Sequence, residues 1–219
     1  MTPDLRLYAL VDPAVAGGRS LPELAKLLIG TATLVQLRDK HGTTRAMIDA
    51  ARALKAVLAP AGIPLLINDR VDVALAAPAD GVHIGQDDMD AADARRLLGP
   101  NAIIGLSIKT AAQAAAAPLD ALDYVAIGGV YATTSKDNTA APIGTQGLRA
   151  IAAAIRARKA GYPVCAIAGI TAANAGEVIA AGADGVAVIS ALSLAAEPAA
   201  AARELRAVVD DALKRRGQG

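Results

Sequence analysis

The chain is 219 residues long and 54% hydrophobic, and its 22 basic and 21 acidic residues leave a net charge of +1. With aromatics at only 2%, it has neither the broad positive field nor the stacking platforms that a nucleic-acid partner requires. Asp, Arg or Gly interrupts every apolar run well short of membrane length, no basic leader precedes an apolar stretch, and one cysteine excludes an internal disulfide or a cysteine-based zinc site. The expectation is one cytoplasmic domain over residues 1–219, with a core of many small aliphatic side chains.

In chain order, a strand is predicted over residues 5–11. Ser20 then precedes Leu21-Pro22-Glu23, a helix start with Pro in the first turn and an acid behind it. The next strand covers 33–37, and Thr43 opens a helix over 44–59 that stops at Pro60. Strands over 65–67, 81–84, 103–106 and 124–127 follow, with a helix around 91–98 between the second and third of these. The last two strands cover 164–167 and 185–188; between them Asn174 precedes a helical run that ends at Ala181-Gly182. The strand segments are almost continuously apolar rather than alternating, as parallel strands covered on both faces are. Eight strand–helix units in this length predict an α/β fold, a single (β/α)8 TIM barrel, with an open doubly wound sheet as the alternative.

An internal echo fits the barrel. Ala61-Gly62-Ile63-Pro64-Leu65 resembles Ala160-Gly161-Tyr162-Pro163-Val164, and Ala79-Asp80-Gly81-Val82 resembles Ala183-Asp184-Gly185-Val186. Each partner lies four strands on, as a duplicated half-barrel would leave it. The same motifs are also simply good helix-to-strand turns.

Catalytic residues of such barrels gather past the carboxyl ends of the strands, and the polar residues collect there. Gln36, Arg38 and Lys40 alternate along the second strand end, so an extended backbone sets an amide and two cations on one face, suited to a phosphate. Asn68 and Asp69 follow the third strand, and Asp88 follows the fourth. Two carboxylates on neighbouring strand ends suit magnesium, which takes few protein oxygens plus water and substrate phosphates. Each also stands where a helix N-cap would.

Ser107 follows the fifth strand. The sixth leads into a stretch over 128–136 whose Thr133, Thr134, Ser135 and Lys136 can cradle phosphate oxygens; it lacks a Walker signature. Gly169, and Ile189 with Ser190, close the seventh and eighth strands, where phosphate sites of this architecture are frequent. Two anion sites, one with a metal, point to a reaction joining two phosphorylated molecules. His83, inside an apolar strand, reads as a hydrogen-bonded structural residue, His41 as an exposed loop residue, and Cys165 as a buried inert thiol. With no Ser-His-Asp or Cys-His pairing, acyl transfer is poorly supported.

Taken together, Gln36-Leu37-Arg38-Asp39-Lys40, Ile67-Asn68-Asp69-Arg70, Ala79 through Asp88, Gly105-Leu106-Ser107, Thr133 through Lys136 and Gly182 through Ser190 resemble the thiamine phosphate synthase family. The resemblance implies a transferase that condenses 4-amino-2-methyl-5-hydroxymethylpyrimidine pyrophosphate with thiazole phosphate, releasing pyrophosphate, with Mg2+ as cofactor. It further implies that Gln36, Leu37, Arg38, Asp39, Lys40 and Asn68 hold the pyrimidine pyrophosphate, that Asp69 and Asp88 ligate Mg2+, that Ser107 meets the pyrimidine, and that Lys136 meets its pyrophosphate. Thr133, Thr134, Ser135, Gly169, Ile189 and Ser190 would bind the thiazole phosphate, and Arg38, Lys40, Ser107 and Lys136 would act in catalysis. A homodimer is in keeping with that family.

The sequence departs from the family pattern at Ser135, where a threonine is usual, at Ala168, where the usual Gly-Gly-Ile reads Ala168-Gly169-Ile170, and in a loop that lacks the usual Pro and Phe. Two other readings share the barrel: a thiazole tautomerase relative, which has no use for the joint set Asn68, Asp69, Asp88 and Lys136, and a non-catalytic phosphate-sensing barrel.

Overall fold

Continuous apolar runs are what parallel strands need when both faces are covered, and the eight runs are eight strands in the computed structural model, which describes residues 2–133 and 141–218. They are β1 (Leu7–Val11), β2 (Leu34–Leu37), β3 (Leu65–Asn68), β4 (Gly81–Ile84), β5 (Ile103–Ile108), β6 (Tyr124–Ile127), β7 (Val164–Ile167) and β8 (Gly185–Val188). Each pairs in parallel with the next, and β8 pairs back onto β1, so the sheet is a closed barrel and the open-sheet alternative falls away. Outside it lie α1 (Leu21–Leu28), α2 (Thr44–Leu58), α3 (Val71–Ala76), α4 (Ala91–Leu98), α5 (Ala111–Ala116), α6 (Gly144–Arg158), α7 (Ala172–Ala180), a short α8 (Ser190–Ser193) and α9 (Pro198–Gly217). Among the described residues no helix is long and apolar enough to cross a membrane.

Strand parity sorts the side chains into two cores. Val35, Leu37, Leu65, Ile67, Val82, Ile84, Ile104, Val125, Val164 and Val186 point outward into the layer shared with the helices. Their alternates Tyr8, Leu10, Leu34, Leu66, Ile103, Tyr124, Cys165 and Ala187 fill the lumen. At roughly 1.5–3 kcal/mol for each large aliphatic side chain buried, the outer layer is the main driving force. The lumen sets what the barrel mouth can display. Cys165 is buried there and its thiol is pushed up by that burial, as an inert thiol should be.

Helix starts follow their local signals. Ser20 Oγ accepts from Glu23 N–H at 3.4 Å while Glu23 Oε2 accepts from Ser20 N–H at 3.0 Å, a reciprocal box. Thr43 caps α2 through Ala46 N–H. Asn174 does not precede α7: it is the third residue of that helix, and its Oδ1 accepts from Thr171 N–H at 2.9 Å. The box pattern was hidden because Asn stands where Glu or Gln is usual. Asn68 and Ser107-Ile108, expected just beyond strand ends, lie within β3 and β5.

At the opposite, amino-terminal rim a polar device recurs. Before β4, Asp80 accepts from Leu65 N–H of β3 at 2.7 Å and pairs with Lys55 of α2 at 2.5 Å. Before β6, Asp123 accepts from Ile104 N–H of β5 at 2.8 Å and pairs with Arg95 of α4 at 2.6 Å. Before β8, Asp184 accepts from Val164 N–H of β7 at 2.9 Å and pairs with Arg156 of α6 at 2.8 Å. Before β2, Thr33 Oγ1 takes the same place, accepting from Leu7 N–H at 3.1 Å.

The Ala-Asp-Gly echo thus has a physical cause. The Asp ties a strand start to the preceding helix, and the Gly leaves room for crossing backbone. A Cβ at Gly81 or Gly185 would lie 1.8 Å from Ile103 O or 1.6 Å from Leu5 O. Asp123 repeats the device without the glycine, so the strand-tying acceptor recurs at quarter-barrel spacing while the full Ala-Asp-Gly motif recurs at half-barrel spacing.

Candidate active site

At the carboxyl ends of the strands the inward positions of β2 to β5 are Gln36, Asn68, His83 and Ser107, while those of β6 to β8 and just beyond are Ala126, Ile167, Ala187 and Ile189. One half of the mouth is polar and the other apolar, by strand parity alone. Each half opens into a cavity. The polar one, about 430 Å3, is lined by Arg38, Lys40, Asn68, Asp69, Asp88 and Ser107, together with His83 and Lys109. The other, about 520 Å3, is lined by Thr133, Gly169, Ile189 and Ser190 among small aliphatic residues.

Six of the site residues expected from sequence therefore share one cavity and four share the other. Leu37 instead packs outward in the helix–sheet layer, and the Asp39 carboxylate turns onto its own loop, accepting from His41 and Gly42 N–H at 3.0 and 2.7 Å. Thr134, Ser135 and Lys136 lie outside the described residues.

Strand β2 ends at Leu37, yet Arg38 stays in register because its N–H donates to Val11 O at 2.9 Å. The guanidinium pairs with Asp12, which is 2% exposed. Asp12 is a residue that sequence reading passed over. It also accepts from Ala14 N–H at 2.9 Å, so it reads locally as a turn residue; nothing in the sequence shows that it reaches a side chain 26 positions away. Its effect is to aim a planar cation at the cavity.

Asp69 and Asp88 do not cap helices: α4 is capped by Asp90, through Ala92 N–H at 2.8 Å, and α3 has no side-chain cap. Asp69 sits at φ 62°, in the left-handed region that Asp tolerates better than most residues. Two bonds hold it there, Asp69 N–H to His83 O at 2.8 Å and Arg70 N–H to Asn68 O at 2.7 Å, which make a tight three-residue turn at the end of β3. Its carboxylate pairs with Lys40. Asp88 reaches back to accept from Gly85 N–H at 2.6 Å.

Burial, and then the neighbouring Asp88, push the Asp69 carboxyl above the ordinary aspartate value, against the pull of Lys40. Among the described residues no group of three or more His, Cys, Asp or Glu forms a metal cage. The donor set fits a hard cation that completes its shell with water and substrate oxygens.

A group with a raised folded-state pKa stabilises the fold below its unfolded value and loses that contribution as pH rises through the folded value. Asp69 is therefore a standing cost near neutrality, and a divalent cation should relieve it. Magnesium is expected to raise the melting temperature more at pH 7.5 than at pH 5, where protons compete, and Asp69→Asn should abolish the gain. An equal shift at both pH values in scanning calorimetry would exclude Asp69 as a ligand.

A chain of polar groups runs beneath the site, through the lumen. Gln36 Nε2 donates to the Tyr8 hydroxyl, Tyr8 Oη lies 3.0 Å from Tyr124 Oη, Tyr124 Oη lies 2.8 Å from His83 Nδ1, and His83 Nε2 lies 2.9 Å from Ser107 Oγ. Burial pushes both phenols far up, so each stays protonated. The Tyr124 ring stacks on His83 with centroids 5.6 Å apart, over Gly105, where a Cβ would come within 2.1 Å of that ring. His83 is thus a hydrogen-bonded residue, as expected, while the two tyrosines were read only as apolar strand residues.

In the apolar half, Gly169 at φ 66° brings the backbone under Ala132 and Tyr131, and a Cβ there would lie 2.4 Å from Ala132 O. Ala168 beside it holds φ 97°, a conformation that costs a residue with a side chain about 1 kcal/mol or more.

Residues 7–192 match the family model described as thiamine monophosphate synthase. The chain is 52% identical over 214 residues to the thiamine-phosphate synthase of Agrobacterium fabrum, covering 97% of both chains. It is 49% identical over 207 residues to that of Chloroflexus aurantiacus, covering 94% of this chain and 93% of the relative. Among solved structures, the thiamine phosphate pyrophosphorylase from Pyrococcus furiosus superposes with a TM-score of 0.82 at 35% identity, over 97% of this chain and 98% of that one.

Proposed function

The chain belongs to the thiamine monophosphate synthase family and has thiamine-phosphate synthase activity, and we propose that its two cavities divide the two substrates of that reaction. The tautomerase and sensing-barrel readings are thereby set aside. The polar cavity takes the pyrimidine pyrophosphate and the apolar one the thiazole phosphate. One observation carries this division: Arg38, Lys40, Asp69 and Asp88 converge on the first cavity, while the second pairs small aliphatic walls with Gly169 and Ser190.

In the first cavity, Arg38 and Lys40 bind the pyrophosphate and offset the negative charge that grows as the bond to the pyrimidine methylene breaks. The electron pair of that bond leaves with the pyrophosphate oxygen. Asp69 and Asp88 would hold Mg2+, which when bound supplies further positive charge to the leaving group. Ser107 meets the pyrimidine edge; Gln36, which the family likeness also assigns there, is 1% exposed and lines neither cavity, its amide donating to the Tyr8 hydroxyl below the mouth.

The thiazole nitrogen, oriented from the second cavity by its phosphate, attacks the methylene carbon with its own lone pair. No general base is required, consistent with a site whose one histidine is engaged by Tyr124 and Ser107. Lys136, outside the described residues, is assigned to the pyrophosphate by family likeness. The lone buried Cys165 suits a reducing cytoplasm, where we place the enzyme.

Steady-state kinetics test the division. Arg38→Met should raise the KM for the pyrimidine pyrophosphate about 10-fold or more, the loss of a charge-assisted hydrogen bond, and leave that for the thiazole phosphate nearly unchanged. Ser190→Ala should do the reverse to a smaller degree. Equal effects of either variant on both substrates would overturn the assignment.

A further inference from the structure

Strand β5 brings one more charged side chain to the mouth than the substrate assignment has used. Ile108 packs into the outer layer shared with the helices, so parity turns Ser107 before it and Lys109 after it toward the barrel axis. The pair repeats on β5 the alternation that Gln36, Arg38 and Lys40 make on β2. Lys109 lines the polar cavity together with Arg38, Lys40, Asp69 and Asp88. Its N–H donates to Gln113 Oε1 at 2.7 Å, which fixes the point from which the side chain starts.

The course of the stem is set by Gly128, just past β6. A Cβ on that glycine would lie 3.8 Å from both Cγ and Cε of Lys109 and 3.7 Å from Ile167 Cγ2. Lys109 therefore runs beside the bare backbone of Gly128, and Ile167 on the other side of it is a wall of the apolar cavity. Strands β2 and β5 bound the polar half of the mouth. Arg38 and Lys40 enter that half from one edge, and Lys109 enters from the other, next to the seam between the two cavities.

Charge points the same way. Arg38 already faces Asp12, and Lys40 faces Asp69. The lining also holds Asp87 and Asp88, so without Lys109 its described residues would set two cations against three carboxylates. A wall of that sign disfavours a polyanion. A pyrophosphate also carries oxygens on both of its phosphorus atoms, and cations on two sides can hold it where one side leaves oxygens uncovered.

We propose that Lys109 is a substrate-binding residue whose ammonium donates to the pyrophosphate oxygens from the β5 side, while Arg38 and Lys40 hold the group from β2. It stands beside the methylene–oxygen bond that breaks and offsets charge on the departing group as the thiazole nitrogen approaches from beyond Gly128. The electron pair goes to the pyrophosphate oxygen, and Lys109 keeps its proton. This inference rests on the polar cavity taking the pyrimidine pyrophosphate.

The test is calorimetric binding of inorganic pyrophosphate with magnesium, and separately of thiazole phosphate, to the intact enzyme and its variants. Lys109→Met keeps the stem and removes the charge. It should weaken pyrophosphate binding by about 10-fold or more, the worth of one hydrogen bond between charged groups, and leave thiazole phosphate within about 2-fold. Lys109→Arg restores the charge and should recover most of the loss. Because the side chain is exposed, the melting temperature should stay within about 2 °C of the parent.

Arg38→Met in the same assay separates this inference from the reading beneath it. If Arg38→Met weakens pyrophosphate and Lys109→Met does not, Lys109 is a solvated side chain at the mouth and only the present proposal falls. If neither weakens it, the polar cavity is not the pyrophosphate site and the substrate division falls as well. Equal weakening of both ligands by Lys109→Met would reveal a diffuse field rather than a contact and would also overturn the proposal.

Discussion

An Asp88→Asn enzyme is expected to lose about 100-fold or more in kcat while melting within a degree or two of the parent. Asp88 has two separable duties. One is local: its carboxylate accepts from Gly85 N–H, closing the turn after β4. Asparagine keeps an oxygen there, so the turn should survive. The other duty needs charge. Asp88 is one of two carboxylates on adjacent strand ends, and its partner Asp69 is already engaged by Lys40. In the proposed metal site, removing that charge leaves Asp69 alone of the two assigned ligands, and loss of one preorganised electrostatic contact to a transition state typically lowers the rate 10²–10³-fold. The measurement is kcat at saturating substrates across a magnesium titration, with a thermal melt beside it. Near-parent turnover at low magnesium would remove Asp88 from the metal site; a large fall in melting temperature would show that the turn, not the charge, was lost.

Arg95→Ala should cost stability instead, by about 3 kcal/mol, while leaving turnover of the surviving native enzyme at 25 °C within about 2-fold. The Arg95 guanidinium pairs with Asp123 at 2.6 Å and donates to Ala102 O at 2.6 Å, Gly99 O at 3.1 Å and Ala121 O at 3.2 Å. Its loss leaves a half-buried carboxylate and several carbonyls without a donor, the situation in which breaking an ion pair costs most. For a domain of this size that corresponds to a fall of about 6–12 °C in melting temperature. Arg95→Lys should recover less than half of it, since an ammonium cannot span the same acceptors. A melt within 2 °C of the parent would mean that water replaces the guanidinium without penalty.

These two residues differ in how visible they are in sequence. Asp88 stands out because the strand before it is an apolar run and the mouth is where polar residues must be explained. Arg95 looks like any cation on the exposed face of a helix, because its partners belong to the turn that follows and to the start of β6. The same division holds elsewhere. All eight strands were legible because burial on both faces leaves a continuous apolar signature, and Gln36, Asn68 and Ser107 were legible as polar residues at strand ends, whereas His83 read only as a structural residue inside its strand. Asp12, Tyr8 and Tyr124 were not. Asp12 meets Arg38 across 26 positions and Tyr8 meets Tyr124 across 116, and such pairings are created by closure of the barrel rather than by local spacing.

The rim device described above also shows how the barrel is divided. In three of its four quarters the order is helix, odd strand, helix, even strand, with the cation on the leading helix: Lys55, Arg95 and Arg156. The quarter that holds β1 and β2 has its leading helix at the far end of the chain, where Arg206 of α9 donates to Thr31 O at 3.0 Å. Residues Thr2 to Arg6 and Arg216 line one common cavity on this rim, so the two ends of the chain meet there. A circularly permuted gene that placed α9 ahead of β1 would make all four quarters contiguous in sequence; it would join the present ends on the rim away from the chemistry and open the chain between α8 and α9, just past Ser190 at the barrel mouth.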